Sequence, residues 1–263
     1  MLFITIQCIV CQNFYNGFLY HTYLQKSAFL TYILLNDKIF INFIKEKAMD
    51  NLRAYSSKEE MWNCIIHGLG IGLSIAGGVL LVVFASLYAD VWAIVSTAIF
   101  GASMIVLYTA STLYHAFRDE TIKKKLKKFD HISIYYLIAG SYTPFLLVSL
   151  RGVTGWVIFG IIWGLAILGT ILKLVTSGNG TKIWSISLYL IMGWLIVFAS
   201  KSLISAIPSL GLIFLVLGGL FYTFGVLFYI QKSKKYTHAV WHFFVLCGTV
   251  MHFFAVLYSC ILV

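Results

Sequence analysis

The sequence carries little charge for its length. Only 11% of its 263 residues are Asp, Glu, Lys or Arg, whereas an average soluble domain carries roughly 25%. The five cysteines predict no disulfide framework, and Cys8 and Cys11 form a CxxC pair without a second pair or a nearby histidine. The chain also lacks a Walker motif, a Rossmann fingerprint and a nucleophile elbow. These absences argue against a soluble globular enzyme of the common nucleotide-binding or α/β-hydrolase classes.

Long apolar segments replace the missing charge. Hydrophobic residues make up 60% of the chain, and apolar runs long enough to cross a hydrocarbon core of ~30 Å recur from Met61 almost to Val263. They predict helices over 61–86, 91–116, 130–150, 154–174, 183–200, 210–230 and 238–262. The sequence therefore predicts an all-α polytopic membrane protein, with a seven-helix transmembrane domain over residues 49–263.

The net charge of +10 does not indicate nucleic-acid binding, because the basic residues fall in short loops between the predicted spans. Cytoplasmic loops of membrane proteins carry an excess of Lys and Arg. One side of the predicted bundle has only Arg151 and Lys201, and the other side has Arg53, Lys58, Arg118, Lys123, Lys124, Lys125, Lys127, Lys128, Lys173, Lys182, Lys232, Lys234 and Lys235. We therefore expect a cytoplasmic N-terminus and an external C-terminus.

Residues 1–48 differ in composition from the rest of the chain. They are rich in Phe, Tyr, Ile and Asn, and residues 1–10 lack the basic n-region and the cleavage site of a signal peptide. Met49 is followed by a polar lead-in to the first predicted helix. We expect Met49 to be the true start, which makes 1–48 an untranslated extension. The alternatives are a disordered extension and an eighth hydrophobic segment.

Three histidines lie at the same predicted end of two helices. His115 ends the second predicted helix, and His238 and His242, spaced i and i+4, share one face at the start of the seventh. An ionisable side chain within a bilayer is costly and needs a partner or a function. Neutral imidazoles that converge from different helices are typical zinc ligands. We therefore predict that His115, His238 and His242 bind Zn²⁺.

Asp130 begins the third predicted helix at the same depth as these histidines. Three protein ligands leave a fourth position on zinc for water, and Asp130 is placed to orient that water or to accept its proton. Each group also has a simpler interpretation. A lone histidine at a helix end often reaches the headgroups or caps a carbonyl, and an aspartate in a first turn favours the helix dipole. The co-location of all four side chains favours the metal site.

Three further histidines are expected to lie outside this site. His252 is ten residues beyond His242, which is about 15 Å of helix rise, so we expect it to make a hydrogen bond within the bundle. His67, on the first predicted helix, is expected to be structural or to support the site. His131 points about 100° away from Asp130 on the helix.

Several motifs in order resemble those of one family. They are Glu60-x-x-Asn63-x-x-x-His67, Ser111-x-x-Tyr114-His115, Asp130 followed by Gly140-Ser141-Tyr142-Thr143-Pro144, and His238-x-x-Trp241-His242 followed by Gly248 and His252. Over residues 53–263 the chain resembles the bacterial hemolysin III family. That family is similar to the progestin and adiponectin receptors and is related to ceramidase-like intramembrane hydrolases.

The resemblance implies a seven-helix bundle in the cell membrane, with a zinc ion near its cytoplasmic face. The family's three zinc-binding histidines match His115, His238 and His242. Its aspartate and serine that contact the metal-bound water match Asp130 and Ser111. The resemblance thus implies Asp130 and Ser111 as catalytic residues.

Three functions remain open at this point. The first is a zinc-dependent hydrolase of lipid amides or esters that affects membrane lipid homeostasis, with membrane lipids as substrates and partners. The second is a cytolysin, as the family name records, although so apolar a protein should stay in the membrane of the cell that makes it. The third is a non-enzymatic regulator of membrane fluidity with a structural zinc. The sequence identifies neither the substrate nor the oligomeric state.

Overall fold

The described part of the chain is built from helices. The computed structural model describes residues 55–175, 180–231 and 233–262. The α-helices in these ranges are α1 (Ser57–Tyr88), α2 (Val91–Ala116), α3 (Glu120–Pro144), α4 (Val153–Val175), α5 (Gly180–Trp194), α6 (Ser200–Ala206), α7 (Ser209–Ile230) and α8 (Thr237–Val256). π-Helical turns over Phe145–Ser149 and Leu257–Ile261 extend α3 and α8, and a 3-10 turn over Leu195–Ala199 joins α5 to α6.

Seven segments within these ranges are long and apolar enough to cross a membrane. They are Ser57–Tyr88, Val91–Ala116, Glu120–Ser149, Val153–Val175, Trp184–Ala206, Ser209–Ile230 and Thr237–Ile261. The prediction of an all-α protein with seven membrane spans is therefore confirmed. The orientation of the termini stays a prediction, and the predicted extension over 1–48 lies outside the described residues.

Short polar side chains start three of the helices. The Ser56 hydroxyl accepts a hydrogen bond from the Glu59 backbone N–H at 3.3 Å, and the Glu59 carboxylate accepts one from the Ser56 backbone N–H at 3.0 Å. This reciprocal pair is a capping box. Asp90 and Asp119 cap α2 and α3 through their own carboxylates. These side chains satisfy N–H groups that the first turn of a helix leaves unpaired.

The charged stretch 118–128 is not the loop that the sequence predicted. α3 begins at Glu120, so only residues 117–119 separate it from α2. Lysine is a good helix former, and most lysines of this stretch remain exposed on the helix surface. The prediction that Asp130 begins the third helix is therefore wrong, because Asp130 lies almost three turns inside α3.

The fifth span is a broken helix and not the continuous one predicted over 183–200. Tyr142 of α3 reaches into the break, where its hydroxyl donates a hydrogen bond to the Gly193 carbonyl at 2.8 Å and accepts one from the Ile196 N–H at 3.0 Å. A backbone group left unpaired within a membrane is costly. Tyr142 therefore supplies hydrogen bonds that the broken helix does not make for itself.

Glycines allow close helix packing at three contacts. Gly78 of α1 faces Gly101 of α2 so closely that a Cβ on either would lie within 3.2 Å of the other's Cα. A Cβ at Gly70 would overlap the Tyr108 ring, and one at Gly218 would overlap the His252 ring. Small residues at such contacts are typical of membrane helix pairs.

The spans differ in how much of their surface the bundle covers. In the apolar stretches of α2 and of the seventh span, 50% of the residues are buried, against 17% in those of the fifth and sixth spans. α1 packs closely against α2, α2 against α3, and α8 against α7. By contrast, α5 and α7 touch each other only slightly. The side of the bundle formed by α1, α2, α3 and α8 is therefore closely packed, and the side where α5 meets α7 is open.

Candidate metal centre

Three buried histidines converge at the end of the bundle where α1 begins. His115 is the last residue but one of α2, and His238 and His242 lie on the first two turns of α8. Each of the three rings contributes one nitrogen, and these three nitrogens all lie within 4.8 Å of one another. The three side chains are therefore close enough to hold one metal ion, as their predicted convergence required. Their role as ligands stays a prediction.

The closest nitrogens have the spacing that a shared ion needs. His115 Nε2 lies 3.0 Å from His242 Nε2, and two ligands of a tetrahedral zinc ion lie ~3.3 Å apart at the usual Zn–N distance. The His238 ring centroid is 4.4 Å from that of His242 and 5.2 Å from that of His115. The arrangement fits a metal ion with three imidazole ligands.

α1 provides polar partners for His115. The Nδ1 atom of His115 lies 2.5 Å from Glu60 Oε2 and 3.4 Å from Asn63 Nδ2. The other oxygen of Glu60, Oε1, accepts a hydrogen bond from Lys123 Nζ at 2.6 Å. The sequence motif contains Glu60 and Asn63 but predicted no role for either. Their i, i+3 spacing, which puts both on one helix face, was the available signal.

Aromatic rings enclose the histidines. The His67 ring centroid lies 3.7 Å from that of His242, so His67 packs directly against the candidate site, and its supporting role stays a prediction. Tyr55, just before α1, stacks on His238 with the ring centroids 4.8 Å apart and the planes 23° apart. Burial raises the pKa of the Tyr55 hydroxyl well above its usual range, which keeps it neutral. The rings surround the site with a poorly hydrated environment.

Asp130 and Ser111, the predicted catalytic residues, are both buried and lie next to each other. Ser111 precedes His115 by one turn of α2, and Asp130 extends from α3. Among the described residues, the ligand atoms that lie within 4.8 Å of one another belong to the three histidines, and Asp130 is not part of this group. The catalytic roles predicted for Asp130 and Ser111 stay predictions.

An apolar cavity of about 340 Å³ adjoins the site. Residues of α3, α5, α6 and α7 form most of its wall, and His67 and Asp130 are polar lining residues near the histidines. His252 lines another part of the cavity, where its ring meets the edge of Tyr222 at a centroid distance of 5.2 Å. His252 is outside the group of three histidines, as its distance from His242 along the helix predicted.

Relatives of known name cover most of this chain. The family described as "Haemolysin-III related" matches residues 55–253. The "Hemolysin-3 homolog" of Bacillus subtilis (strain 168) is 44% identical over 207 residues, which is 79% of this chain and 97% of that protein. "Hemolysin-3" of Bacillus cereus is 43% identical over 201 residues, or 76% of this chain and 91% of that protein.

A more distant relative comes from humans. "Monocyte to macrophage differentiation factor" of Homo sapiens is 28% identical over 225 residues, which is 82% of this chain and 91% of that protein. The matched family region begins before α1, ends within α8 and includes His115, His238 and His242. Together with the seven spans, these matches show that the chain is a multi-pass membrane protein of the hemolysin III family.

Proposed function

We propose that His115, His238 and His242 bind zinc and that the protein is a zinc-dependent hydrolase of lipid amides or esters. The observation that carries the proposal is the position of three buried imidazoles beside an apolar cavity. Three protein ligands with one open position are typical of catalytic zinc, and imidazole nitrogen is a preferred zinc ligand. A site for a lipid headgroup and a volume for its chain then lie side by side.

Each polar residue beside the cavity has a role in this reaction. Zinc, when bound, polarises the substrate carbonyl and activates water. Asp130 is the general base, because its buried carboxylate borders both Ser111 and the cavity. Water adds to the carbonyl carbon, the C–N or C–O bond breaks, and the proton taken up by Asp130 passes to the departing amine or alcohol. The Ser111 hydroxyl donates a hydrogen bond to the carbonyl oxygen as negative charge develops on it.

The open side of the bundle provides the path for the lipid. The fifth and sixth spans bury few of their residues, and both line the cavity. A lipid chain that enters between them from the bilayer stays in an apolar environment all the way to Asp130 and His67. Its carbonyl then stops beside the histidines.

Two measurements on detergent-purified protein test this proposal. Metal content is determined by mass spectrometry, and fatty acid release is followed from a panel of lipid amides and esters. We expect about one zinc per chain and hydrolysis of at least one lipid class, with both lost in His238→Ala. Zinc without hydrolysis would contradict the enzyme and favour a regulator of membrane fluidity with a structural ion. Wild-type protein without metal would contradict the zinc site itself.

The name of one relative favours a second candidate. "Hemolysin-3" of Bacillus cereus is 43% identical to this chain, which suggests a cytolysin. Seven apolar spans oppose release from the membrane of the producing cell. Lysis of red cells by intact producer cells, absent in a deletion strain and unchanged by His238→Ala, would favour the cytolysin over the hydrolase.

A further inference from the structure

Two consecutive glutamates at the start of α1 contact different helices around the candidate metal centre. Adjacent residues of a helix point about 100° apart, so Glu59 and Glu60 face different neighbours. Glu60 contacts α2 and α3, and Glu59 contacts the residue before α8. The elements that carry the three histidines and Asp130 therefore all meet this one point of α1.

Glu60 determines which nitrogen of His115 is available to a metal. Its Oε2 lies 2.5 Å from His115 Nδ1, and a carboxylate accepts the N–H of an imidazole at that position. Nδ1 is then the protonated nitrogen, and Nε2 carries the lone pair. That Nε2 faces His242 Nε2 at 3.0 Å. A carboxylate that fixes the tautomer of a ligand histidine in this way is a recurrent feature of zinc sites.

Glu59 accepts hydrogen bonds at the start of both α1 and α8. Its Oε2 accepts hydrogen bonds from the backbone N–H and the hydroxyl of Ser56 at 3.0 and 2.9 Å. Its Oε1 accepts the backbone N–H of Tyr236 at 2.9 Å. One buried carboxylate thus joins the N-termini of α1 and α8, two residues before His238.

Tyr236 has an unusual backbone conformation. Its φ of 63° makes it the one non-glycine residue with positive φ in the described ranges, and no side chain caps α8 there. A left-handed tyrosine is strained, and such a residue persists only where its surroundings hold it. Glu59 provides one such contact, because its Oε1 accepts the Tyr236 N–H.

We propose that Glu59 and Glu60 are positioning residues for the metal centre: Glu60 directs His115 Nε2 toward the ion, and Glu59 holds the start of α8 so that His238 reaches it. The inference rests on the zinc site of the proposed function and not on the hydrolytic activity. Neither glutamate belongs to the group of three side chains that could hold the ion. Together they account for two acidic residues at a membrane boundary where each is at least partly buried.

Zinc affinity, measured by competition with a chromogenic chelator, tests the role of Glu60. We expect Glu60→Gln to weaken zinc binding by roughly 10- to 100-fold, the usual effect of removing a carboxylate that supports a ligand histidine. The absorption spectrum of the Co²⁺-substituted protein should also shift, because the geometry around the ion changes. Glu120→Gln, which alters an exposed carboxylate at the start of α3, is the matched control and should change neither.

Glu59 is tested through its partner, because Glu59→Gln would also disturb the capping box of α1. Tyr236→Gly and Tyr236→Pro both remove the side chain. Glycine keeps the N–H and adopts positive φ without strain, whereas proline lacks the N–H and requires φ near −65°. We expect wild-type zinc affinity in Tyr236→Gly and a loss of at least about 10-fold in Tyr236→Pro.

The outcomes separate this inference from the proposed function. Wild-type affinity in both Glu60→Gln and Tyr236→Pro would overturn the inference and leave the hydrolase intact. Loss of affinity in both, in a protein that binds zinc and hydrolyses no lipid, would support the inference and contradict the enzyme. A wild-type protein that binds no zinc would overturn both.

Discussion

The helices that carry the histidines and the fifth span, which lines one side of the cavity, are built in different ways. α2 and α8 are half buried, and α1 approaches α2 through Gly78 and Gly101. The fifth span is interrupted by a 3-10 turn, and little of its surface is covered. A metal ion tolerates only about 0.2 Å of error in its ligand distances, whereas a lipid chain needs volume and little directional contact. Tight packing lies where position matters, and loose packing lies where a flexible ligand would enter.

Loss of one histidine on the packed side should have the largest effect. His242→Ala removes a ligand, and we expect it to abolish stoichiometric zinc binding, with affinity reduced by more than about 100-fold. His252→Ala removes a buried histidine of the same helix that lines the cavity and should retain the metal. Metal analysis of the two purified variants makes the comparison. Equal zinc loss in both would mean that general damage to α8, and not ligand removal, causes the loss.

Packing around the metal centre should respond strongly to a single methyl group. A Cβ at Gly70 would overlap the Tyr108 ring, and that ring cannot move freely because its hydroxyl bonds to Thr249 Oγ1 at 2.7 Å. We expect Gly70→Ala to lower the free energy of unfolding by about 1–3 kcal/mol. Because Tyr108 also contacts His67, zinc affinity should fall as well.

Gly72 offers the matched control for this substitution. It lies two residues along the same helix, and nothing lies within 4 Å of a Cβ placed there. Gly72→Ala should leave the protein unchanged or stabilise it by up to about 1 kcal/mol through helix propensity. Thermal unfolding in detergent measures both variants, and equal melting temperatures would contradict the packing argument.

Residues within continuous apolar runs were predictable from the sequence. The bounds of α2 and the shared depth of His115, His238 and His242 follow from where these runs end. The start of α3 was not predictable in this way, because a lysine-rich stretch suits both a loop and an exposed helical turn. Composition alone could not decide between the two, whereas the Asp119 cap does.

Contacts between distant parts of the chain could not be predicted from the sequence either. The bond between Glu60 and His115 joins residues 55 positions apart, and the insertion of Tyr142 beside Gly193 joins two different spans. Periodicity identifies the buried face of a helix and not the neighbour that it meets. For the same reason, the sequence could not distinguish Gly218, which packs on His252, from Gly219, which faces open space.

Filling the cavity should reduce activity and leave the metal in place. Gly219 lines the cavity, and nothing lies within 4 Å of a Cβ placed on it, so Gly219→Leu adds volume where the proposed lipid chain lies. We expect unchanged zinc content and a loss of at least about 10-fold in hydrolysis of long-chain lipids, or about 1.4 kcal/mol in transition-state stabilisation. Hydrolysis of short-chain substrates should change less.

Gly164→Leu places the same side chain on the surface of α4, where nothing lies within 4 Å of an added Cβ. It should leave both chain-length classes unaffected. The comparison between the two leucine variants is made by mass-spectrometric assay of released fatty acids. An equal loss for short and long chains in Gly219→Leu would place the lipid elsewhere.

The smallest effect is expected at the opposite end of the bundle, where Asp90 joins the start of α2 to the residues before α4. Asp90 caps α2, and its Oδ2 accepts a hydrogen bond from Arg151 Nη1, just before α4, at 2.7 Å. Both side chains are nearly half exposed, at 47% and 48%, and exposed ion pairs contribute at most about 1 kcal/mol. Asp90→Asn keeps a good cap and should cost no more than about 0.5 kcal/mol, whereas Asp90→Ala also loses the cap and should cost about 1 kcal/mol.

The pH dependence of the stability difference between wild type and Asp90→Asn tests whether the charge on Asp90 causes that difference. The hydrogen bond from the Ala93 N–H, with a further contribution from Arg151, holds the pKa of Asp90 below its usual range. A carboxyl group whose pKa is lowered by folding stabilises the folded protein. This stabilisation is complete at pH values above the pKa of the group in the unfolded chain, about 3.9, and it is lost as the pH falls through the pKa of the group in the folded protein. The melting temperatures of wild type and Asp90→Asn should therefore stay apart above about pH 4 and converge as the pH falls from there through the folded pKa of Asp90. A difference that persists below the folded pKa of Asp90 would show that the charge on Asp90 does not cause it.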